Sequence, residues 1–384
     1  MFSIPINSEV EDTGHNSFVR GRMAKGCEYC VKGQKLVLFI TGLCGLNCFY
    51  CPVSDKKMYK DVIYANEWKI ETPEDLLEEA RLTDAKGAGI TGGDPLVVTD
   101  RICNYVKLLK HEFGKKFHIH LYTPLQLVNE ERLKKLYDAG LDEIRFHPDI
   151  DDKTWWPRIS LAQKYSWDYG IEIPCIPGKK KETLELIEFA KGKVKFFNLN
   201  ELELSERNIH EFEKRNFVTK NSVSYGIKDS SELAMEILKE VKNPQFTIYF
   251  CTAKLKDSVQ MKNRITKRAH NIKKKFDKIT SEGTIIRGAV YFSDLAPGFD
   301  YRKKLDDANK NDYAIVLENL RRELVERFKI PEESIFVDYV KLRLIADPKI
   351  LKKISDKLKE LNLLPAVVEE YPTRDAIEID VRFL

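Results

Sequence analysis

Residues 36–51 of the chain read LVLFITGLCGLNCFYC, an apolar run followed at once by three closely spaced cysteines. The apolar run is typical of a strand that is buried on both faces, as in a parallel sheet. Strand and helix patterns then alternate as far as Ser205 and give six strand candidates, which predicts a parallel sheet with helices outside it. Because Lys35–Ser205 is too short for a closed eight-stranded barrel, we expect an α/β fold with a partial (β/α)6 barrel.

Cys44, Cys48 and Cys51 are separated by three residues and then by two, in the loop after this first strand. Three thiolates on a tight loop can bind three irons of a [4Fe–4S] cluster and leave the fourth iron open. An open iron can be chelated by the amino and carboxylate groups of S-adenosylmethionine (SAM). Zinc or unconnected core cysteines are the alternatives, but structural zinc sites usually have four ligands in paired C-x-x-C spacings.

This CxxxCxxC motif resembles the signature of the radical SAM superfamily, in which the residue before the last cysteine is commonly aromatic, as Tyr50 is here. Gly92-Gly93-Asp94-Pro95, after the second predicted strand, resembles the family's GGE-type motif with Asp in place of Glu. The two motifs cover roughly residues 35–205. The overall arrangement, which includes CFYCPVSDK and FCTAKLKDSVQMKNR, also resembles archaeal radical SAM proteins related to pyruvate formate-lyase activating enzyme. It implies a [4Fe–4S] cluster, bound SAM and an external electron donor of the ferredoxin or flavodoxin type.

The resemblance also implies the chemistry. A reduced cluster would cleave SAM to methionine and a 5′-deoxyadenosyl radical, which abstracts hydrogen from a substrate. In the family, the glycine-rich motif contacts the methionine group, and polar residues at later strand ends hold the ribose and carboxylate. The positions of this chain that match are Tyr50, Gly92, Gly93, Asp94, Thr123, Arg145 and His147. For the last three, ordinary strand-end polar residues are an equal alternative.

Polar residues on or after the sixth predicted strand are candidate substrate contacts, because ligands bind at the carboxyl ends of parallel strands. These residues are Asn198, Asn200, Glu201 and Glu203. A strand that is half exposed to water would show the same alternation.

Cys27 and Cys30 form a C-x-x-C pair before the first strand, and Cys251 ends the apolar run FTIYF. Together they suggest a second metal site, holding either an auxiliary iron–sulfur cluster or zinc. A redox-active pair and thiols without a joint role are the alternatives.

A basic segment runs from Lys254 to Lys278, with ten Lys or Arg residues against two Asp, and we expect it to be helical. Such a run is usually a solvated helix face, but it could also bind a phosphate backbone. Lys273, Lys274 and Lys275 are its densest part and suggest RNA modification. An activating enzyme for a glycyl radical protein, or an enzyme acting on a small metabolite, is the alternative.

Changes in composition and in the strand and helix patterns divide the chain into four segments. They are an irregular N-terminal segment with the C-x-x-C pair (1–34), the partial barrel (35–206), a charged helical segment (207–283) and a C-terminal α+β module (284–384). Within the module we expect the run SIFVDYVKLRLI to form one strand.

Composition limits the protein class. The chain has 384 residues, 43% of them hydrophobic, and a net charge of +4, which predicts a globular protein and not a polyanion-binding molecule as a whole. Its N-terminus has no secretory pattern and its apolar runs are too short to span a membrane. We therefore expect a cytoplasmic location without membrane partners, in which clustered thiols stay reduced.

Overall fold

The computed structural model describes residues 9–242 and 245–384, and the chain divides into a first unit that ends at Asn263 and a second unit, Arg264–Leu384. The described part of the segment 1–34 belongs to the same unit as the barrel. We expected the C-terminal module to begin at position 284, but the second unit begins about twenty residues earlier.

The strands of the first unit are β1 (Glu11–Asp12), β2 (Ser17–Arg20), β3 (Lys35–Phe39), β4 (Tyr64–Ala65), β5 (Trp68–Lys69), β6 (Gly87–Thr91), β7 (His118–Thr123), β8 (Glu143–Phe146), β9 (Asp168–Cys175), β10 (Phe196–Glu201) and β11 (Thr247–Cys251). Its helices are α1 (Lys25–Val31), α2 (Pro73–Leu82), α3 (Thr99–Phe113), α4 (Glu130–Ala139), α5 (Lys180–Ala190), α6 (Ile209–Lys214), α7 (Ser230–Glu240) and α8 (Ala253–Leu255). Two 3₁₀ segments, Pro95–Val98 and Lys153–Lys164, and a π-helical turn, Lys256–Met261, complete it.

These strands form one sheet in the order β1-β2-β11-β10-β9-β8-β7-β6-β3-β4-β5. From β3 through β6, β7, β8, β9 and β10 to β11, every neighbouring pair is parallel. The α/β fold with a partial parallel barrel is thus confirmed. Its sheet path ends at β5 on one side and at β1 on the other, so hydrogen bonding between described strands does not close it.

The structure adds one parallel strand to the six that we expected. The run FTIYF, which we placed in the charged helical segment, supplies β11, and β11 lies beside β10. β2 pairs with β11 in the antiparallel direction. The segment 1–34, expected to be irregular, therefore contributes β1, β2 and α1, because its few apolar residues pack against the edge of the sheet.

Helix boundaries follow the capping residues. Thr72 accepts a hydrogen bond from Asp75 N at the start of α2 and forms a capping box with Asp75, and Pro73 takes the first helical position. Asn129 caps α4, and Gly140 ends it in the left-handed conformation. None of the helices within the described ranges is long and apolar enough to cross a membrane.

The second unit begins within α9 (Lys262–Ile272) and contains α10 (Tyr301–Asp307), α11 (Lys310–Phe328) and α12 (Pro348–Glu360). Its strands are β12 (Lys278–Ile279), β13 (Ile285–Phe292), β14 (Ile335–Asp338), β15 (Arg343–Ala346), β16 (Leu363–Glu370) and β17 (Glu378–Phe383). The order is β14-β15-β13-β16-β17, all antiparallel, with β12 beside β13. It therefore contains two interleaved split β-α-β units around a core that includes Leu317, Leu324 and Leu351.

Two expectations about elements are wrong. The run SIFVDYVKLRLI, expected as one strand, forms the hairpin β14–β15, with Leu342 in the left-handed region at the turn. The basic segment is not one helix to Lys278: helical structure ends at Ile272, and a turn leads to β12. Pairing of β12 with β13 satisfies backbone groups there that a longer helix would otherwise have used.

Candidate active site

A cavity of about 330 Å³ lies at the carboxyl ends of the parallel strands of the first unit. Thr91 at the end of β6, Thr123 at the end of β7 and Asn200 near the end of β10 all line it. This is the edge at which open α/β sheets bind ligands.

Cys44, Cys48 and Cys51 line one side of this cavity from the loop after β3, and each is partly exposed. The loop is tightly turned, because Cys51 N donates to Cys48 O at 3.0 Å and Leu46 N donates to Cys44 Sγ at 3.4 Å. Burial raises the pKa of Cys44 and raises that of Cys48 to about 11. The sequence prediction that the three thiols face one space is consistent with this arrangement.

Within the residues that the structure describes, no three His, Cys, Asp or Glu side chains form a group that could hold one metal ion. A [4Fe–4S] cluster differs from a single ion, because each cysteine binds a different iron of the cluster. Three thiols on one loop of the cavity lining therefore suit a cluster better than a structural zinc site, which usually has four ligands.

Gly92 and Gly93 follow β6 and lie directly beneath the cysteine loop. Gly93 N donates to Thr41 O at 2.9 Å, and Asp94 N donates to Leu43 O at 2.8 Å. A side chain at Gly93 would collide with the backbone at Leu43. The two glycines thus let the cysteine loop and the end of β6 approach each other closely.

Asp94 does not line the cavity. Its carboxylate accepts hydrogen bonds from Leu96 N at 3.0 Å and from Thr123 Oγ1 at 3.0 Å, and burial raises its pKa. Asp94 therefore caps the 3₁₀ segment and fixes Thr123, which does line the cavity.

Tyr50 and His147 line the cavity together. His147 Nδ1 lies 2.8 Å from the backbone carbonyl of Glu172, which can only accept, so Nδ1 carries the proton. Burial lowers the pKa of His147 and favours the neutral ring. His147 Nε2 then accepts from the Tyr50 hydroxyl at 2.9 Å, which fixes both rings beside the cysteine loop.

Arg145, expected at the cofactor, is buried in the barrel interior and does not line the cavity. Its guanidinium is paired with Glu143 and with Glu172, the latter at 2.7 Å. Asn198 is also buried there and donates to Glu172 Oε2 at 2.9 Å and to Cys27 Sγ at 3.3 Å. Alternate residues of neighbouring strands thus build a polar interior below the cavity.

Asn200, Glu201 and Glu203 also line the cavity, and their role as substrate contacts stays a prediction. Glu201 is paired with Lys220, and Glu203 is paired with Lys256 on the π-helical turn. These ion pairs hold the carboxylates in place from outside the sheet.

The cavity-lining residues that sequence reasoning missed include Tyr122, Glu172 and Lys256. Tyr122 and Glu172 lie within strands, and only their alternation with Leu121 and Ile171, both buried in the hydrophobic core, could have indicated that they face the interior. Lys256 was not singled out because it lies among the many lysines and arginines of the basic segment.

Cys27, Cys30 and Cys251 lie away from the cavity lining. Cys27 and Cys251 belong to a small buried cluster with Val19 and Leu255. Burial raises the pKa of Cys30 and raises that of Cys251 to about 12. The second metal site stays a prediction.

Lys273, Lys274 and Lys275 lie in the second unit, in the turn after α9. Lys273 and Lys275 are exposed, and the Lys274 ammonium lies 4.5 Å from the ring centroid of Phe336.

Two curated relatives are similar to this chain. Over 372 residues it is 42% identical to the "Putative glycyl-radical enzyme activating enzyme MJ0021" of Methanocaldococcus jannaschii, which covers 94% of this chain and 92% of that protein. Over 152 residues it is 30% identical to the "Probable GTP 3',8-cyclase" of Methanococcus aeolicus, covering 38% of this chain and 48% of that protein.

Among solved structures, Streptococcus suis SuiB bound to S-adenosylmethionine matches 57% of this chain and 50% of its own, at 14% identity and a TM-score of 0.39. Methylornithine synthase (PylB) matches 59% of this chain and 72% of its own, at 13% identity and the same TM-score. At these TM-scores no conclusion rests on either likeness. The sequence profile of the radical SAM superfamily matches residues 38–192. With that match and a relative that is 42% identical over nearly the whole length, the chain belongs to the radical SAM superfamily.

Proposed function

We propose that this radical SAM enzyme activates a partner protein by abstracting a hydrogen atom from a glycine of the partner's backbone. The observation that carries the proposal is the 42% identity, over 94% of the chain, to a protein named as an activating enzyme for glycyl-radical enzymes. Action on a small metabolite is the neighbouring alternative.

The family uses a [4Fe–4S] cluster and SAM, and Cys44, Cys48 and Cys51 are the proposed cluster ligands. This assignment is supported by the position of the three thiols, which lie on one loop and line one cavity. When bound, the reduced cluster and SAM supply a 5′-deoxyadenosyl radical, which removes a hydrogen atom from the substrate and becomes 5′-deoxyadenosine. An external donor of the ferredoxin or flavodoxin type is the proposed source of the electron.

The proposed SAM contacts are the cavity-lining members of the expected set, which are Tyr50, Gly92, Gly93, Thr123 and His147. Asp94 is proposed to act indirectly, by fixing Thr123, and Arg145 by fixing Glu172. Apolar side chains, including those of Leu46, Val53 and Met58, also line the cavity. They would keep water away from a reactive radical.

A polypeptide substrate also suits the rim of the cavity. The loop at residues 216–229 is bonded to the cavity lining, because Ile227 N donates to Leu202 O at 2.8 Å and Gly226 bridges to Glu203. The loop exposes Val218, Val223 and Tyr225, whose exposed fractions are 58%, 89% and 63%. Apolar side chains that face water beside a cavity are typical of contact surfaces for other proteins.

Deuterium transfer tests this proposal. Source cells are grown on glycine deuterated at its α-carbon, and their protein, RNA and metabolite fractions are each incubated anaerobically with the reconstituted enzyme, SAM and dithionite. We expect the protein fraction alone to give 5′-deoxyadenosine that carries one deuterium. Product without deuterium, or product stimulated only by RNA or metabolites, would contradict glycine abstraction.

RNA modification is the second candidate, because Lys273 and Lys275 are exposed. It predicts RNA binding that weakens with salt and is lost when the three lysines at 273–275 become glutamate. A matched control carries three glutamates on α12, in place of Lys349, Lys352 and Lys353. Equal loss in both variants, or in neither, would exclude a specific role for the basic turn.

The proposed second metal site has its own test. Metal analysis of the reconstituted protein should give iron or zinc in addition to the four irons of one cluster. Cys27→Ser and Cys251→Ser variants should lose only the excess. A wild-type content of four irons without zinc would refute a second site.

A further inference from the structure

We infer that the carboxylate of Glu172 accepts a hydrogen bond from a backbone N–H group that flanks the target glycine. This inference rests on the proposed function, since it takes the substrate to be a polypeptide. Glu172 lies on β9, lines the cavity and is one of the residues that sequence reasoning did not single out.

Three side chains hold both oxygens of Glu172 in place. Arg145 Nη1 donates to Oε2 at 2.7 Å, and Asn198 Nδ2 donates to the same oxygen at 2.9 Å. Asn200 Nδ2 donates to Oε1 at 2.9 Å. A carboxylate offers about four lone-pair positions, so three bound donors leave about one position for a substrate N–H. Glu172 lines the cavity, where a substrate can reach it.

The supporting residues are themselves fixed. Arg145 Nε donates to Glu143 Oε1, and Arg145 Nη1 also lies 3.1 Å from the Tyr122 hydroxyl. Glu143 Oε2 in turn accepts from Gly26 N at 3.0 Å, at the start of α1. A methyl group at Gly26 would collide with the Arg145 guanidinium, so the helix packs directly on the ion pair. The Glu172 carboxylate is therefore positioned before any substrate arrives.

The charge balance favours a neutral N–H donor over an ammonium group. Burial opposes ionisation of Glu172, but the charge of Arg145 and the three hydrogen bonds outweigh it and lower its pKa. Glu201 and Glu203, which also line the cavity, have their own cationic partners. An ammonium substrate would have to compete with these lysines and with Arg145, whereas a peptide N–H needs only an acceptor.

A pair of ligands that differ only in the donor tests the inference. The probes are N-acetyl-triglycine N-methylamide and its depsipeptide, in which ester oxygens replace the N–H groups. Each is titrated into the full-length protein, reconstituted with iron, sulfide and SAM, and binding is followed by saturation-transfer NMR. We expect the wild type to bind the peptide at least fivefold more tightly than the ester. This comparison needs no variant.

Glu172→Gln keeps the shape of the side chain, removes its charge and places an N–H₂ group among three donors. We expect the preference for peptide over ester to fall below twofold in this variant. Glu188→Gln, an exposed change on α5, is the matched control and should keep the wild-type preference. Iron content and melting temperature verify that both variants are folded and loaded.

The inference would be overturned by absence of peptide binding, by equal affinity of the wild type for peptide and ester, or by an undiminished preference in Glu172→Gln. Stronger binding of n-butylammonium than of the peptide would overturn it too, because it would assign the site to cations. Failure of the proposed function is seen separately, as 5′-deoxyadenosine without deuterium.

Discussion

Gly93 lies where the backbone of the cysteine loop crosses the end of β6. An added Cβ would meet Cys44 Cβ and Gly42 O, each at 2.8 Å, as well as the carbonyl of Leu43. Backbone atoms cannot move aside as a flexible side chain can. The geometry of the loop that bears the cysteines therefore depends on position 93, just after β6, being a glycine, which has no side chain.

Gly93→Ala should consequently displace this loop. We expect the free energy of unfolding to fall by about 1–3 kcal/mol and the iron content after anaerobic reconstitution to drop below that of the wild type. Gly45→Ala, within the same loop but with no atom within 4 Å of the added group, is the control and should load normally. Equal iron contents in the two variants would contradict the steric argument.

Lys35 is buried at the start of β3, and its ammonium lies 2.8 Å from His118 Nδ1. Burial lowers its pKa to about 7, while nearby Glu143 and Cys30 partly oppose this shift. The unfolded chain holds this proton up to its ordinary pKa of 10.5, and the folded chain releases it near pH 7. The cost of the buried charge is therefore fully present below pH 7 and disappears as the pH rises to 10.5.

The Lys35→Met variant tests this linkage. Between pH 7 and 10.5 the wild type should gain stability relative to the variant, by up to about 1.4 kcal/mol per pH unit. Urea unfolding of both proteins at several pH values measures the difference. Lys107→Met, an exposed change on α3, should show a difference from the wild type that does not vary with pH. A constant difference for Lys35→Met as well would show that its pKa is not lowered.

At the scale of elements, the capping box at the start of α2 was readable in the sequence as Thr72, Pro73 and Asp75. Thr72 Oγ1 accepts from Asp75 N, which satisfies a backbone donor that the helix itself leaves unpaired. A capping box depends on only a few neighbouring residues, so it can be recognised in the sequence.

Thr72→Ala should therefore lower the free energy of unfolding by about 1 kcal/mol. Glu78→Ala, on the exposed side of the same helix, should change it by less than about 0.5 kcal/mol. Chemical denaturation of both variants provides the measurement. Equal effects would mean that the capping box does not stabilise α2.

Strand pairing was harder to predict than helix caps. The run FTIYF looked isolated among charged helices, yet it joins the barrel because β10 offers it a free parallel edge. The N-terminal strand β2 then covers the other edge of β11. Such pairings depend on partners far away in sequence, so local pattern alone did not reveal them.

At the scale of the whole molecule, the position of the site followed from topology. Parallel strands bring their carboxyl ends to one edge, so cysteines after β3, glycines after β6 and polar residues on β10 could be expected to meet there. Most of them do line one cavity. Arg145 and Asn198 do not, because each lies two residues before a cavity-lining residue, His147 or Asn200, and therefore deeper in the barrel. Depth along a strand cannot be read from local sequence pattern.

The second unit was predictable as an α+β module, but its strand order was not. Its two split β-α-β units place β15 between β13 and β14, although β14 precedes β15 in the chain. The hairpin turn at Leu342 has no glycine to mark it, which is why one strand was expected in place of two.

Anaerobic reconstitution of the wild type and two cysteine variants is the most direct test of the central claim. Iron, sulfide and 5′-deoxyadenosine formed from SAM under reductant are quantified for each protein. We predict that Cys48→Ala loses both the cluster and SAM cleavage. Cys103→Ala, which changes a buried thiol on α3 away from the cavity, should retain both. Wild-type iron content and SAM cleavage in Cys48→Ala would contradict the assignment of the cysteine loop as the catalytic centre.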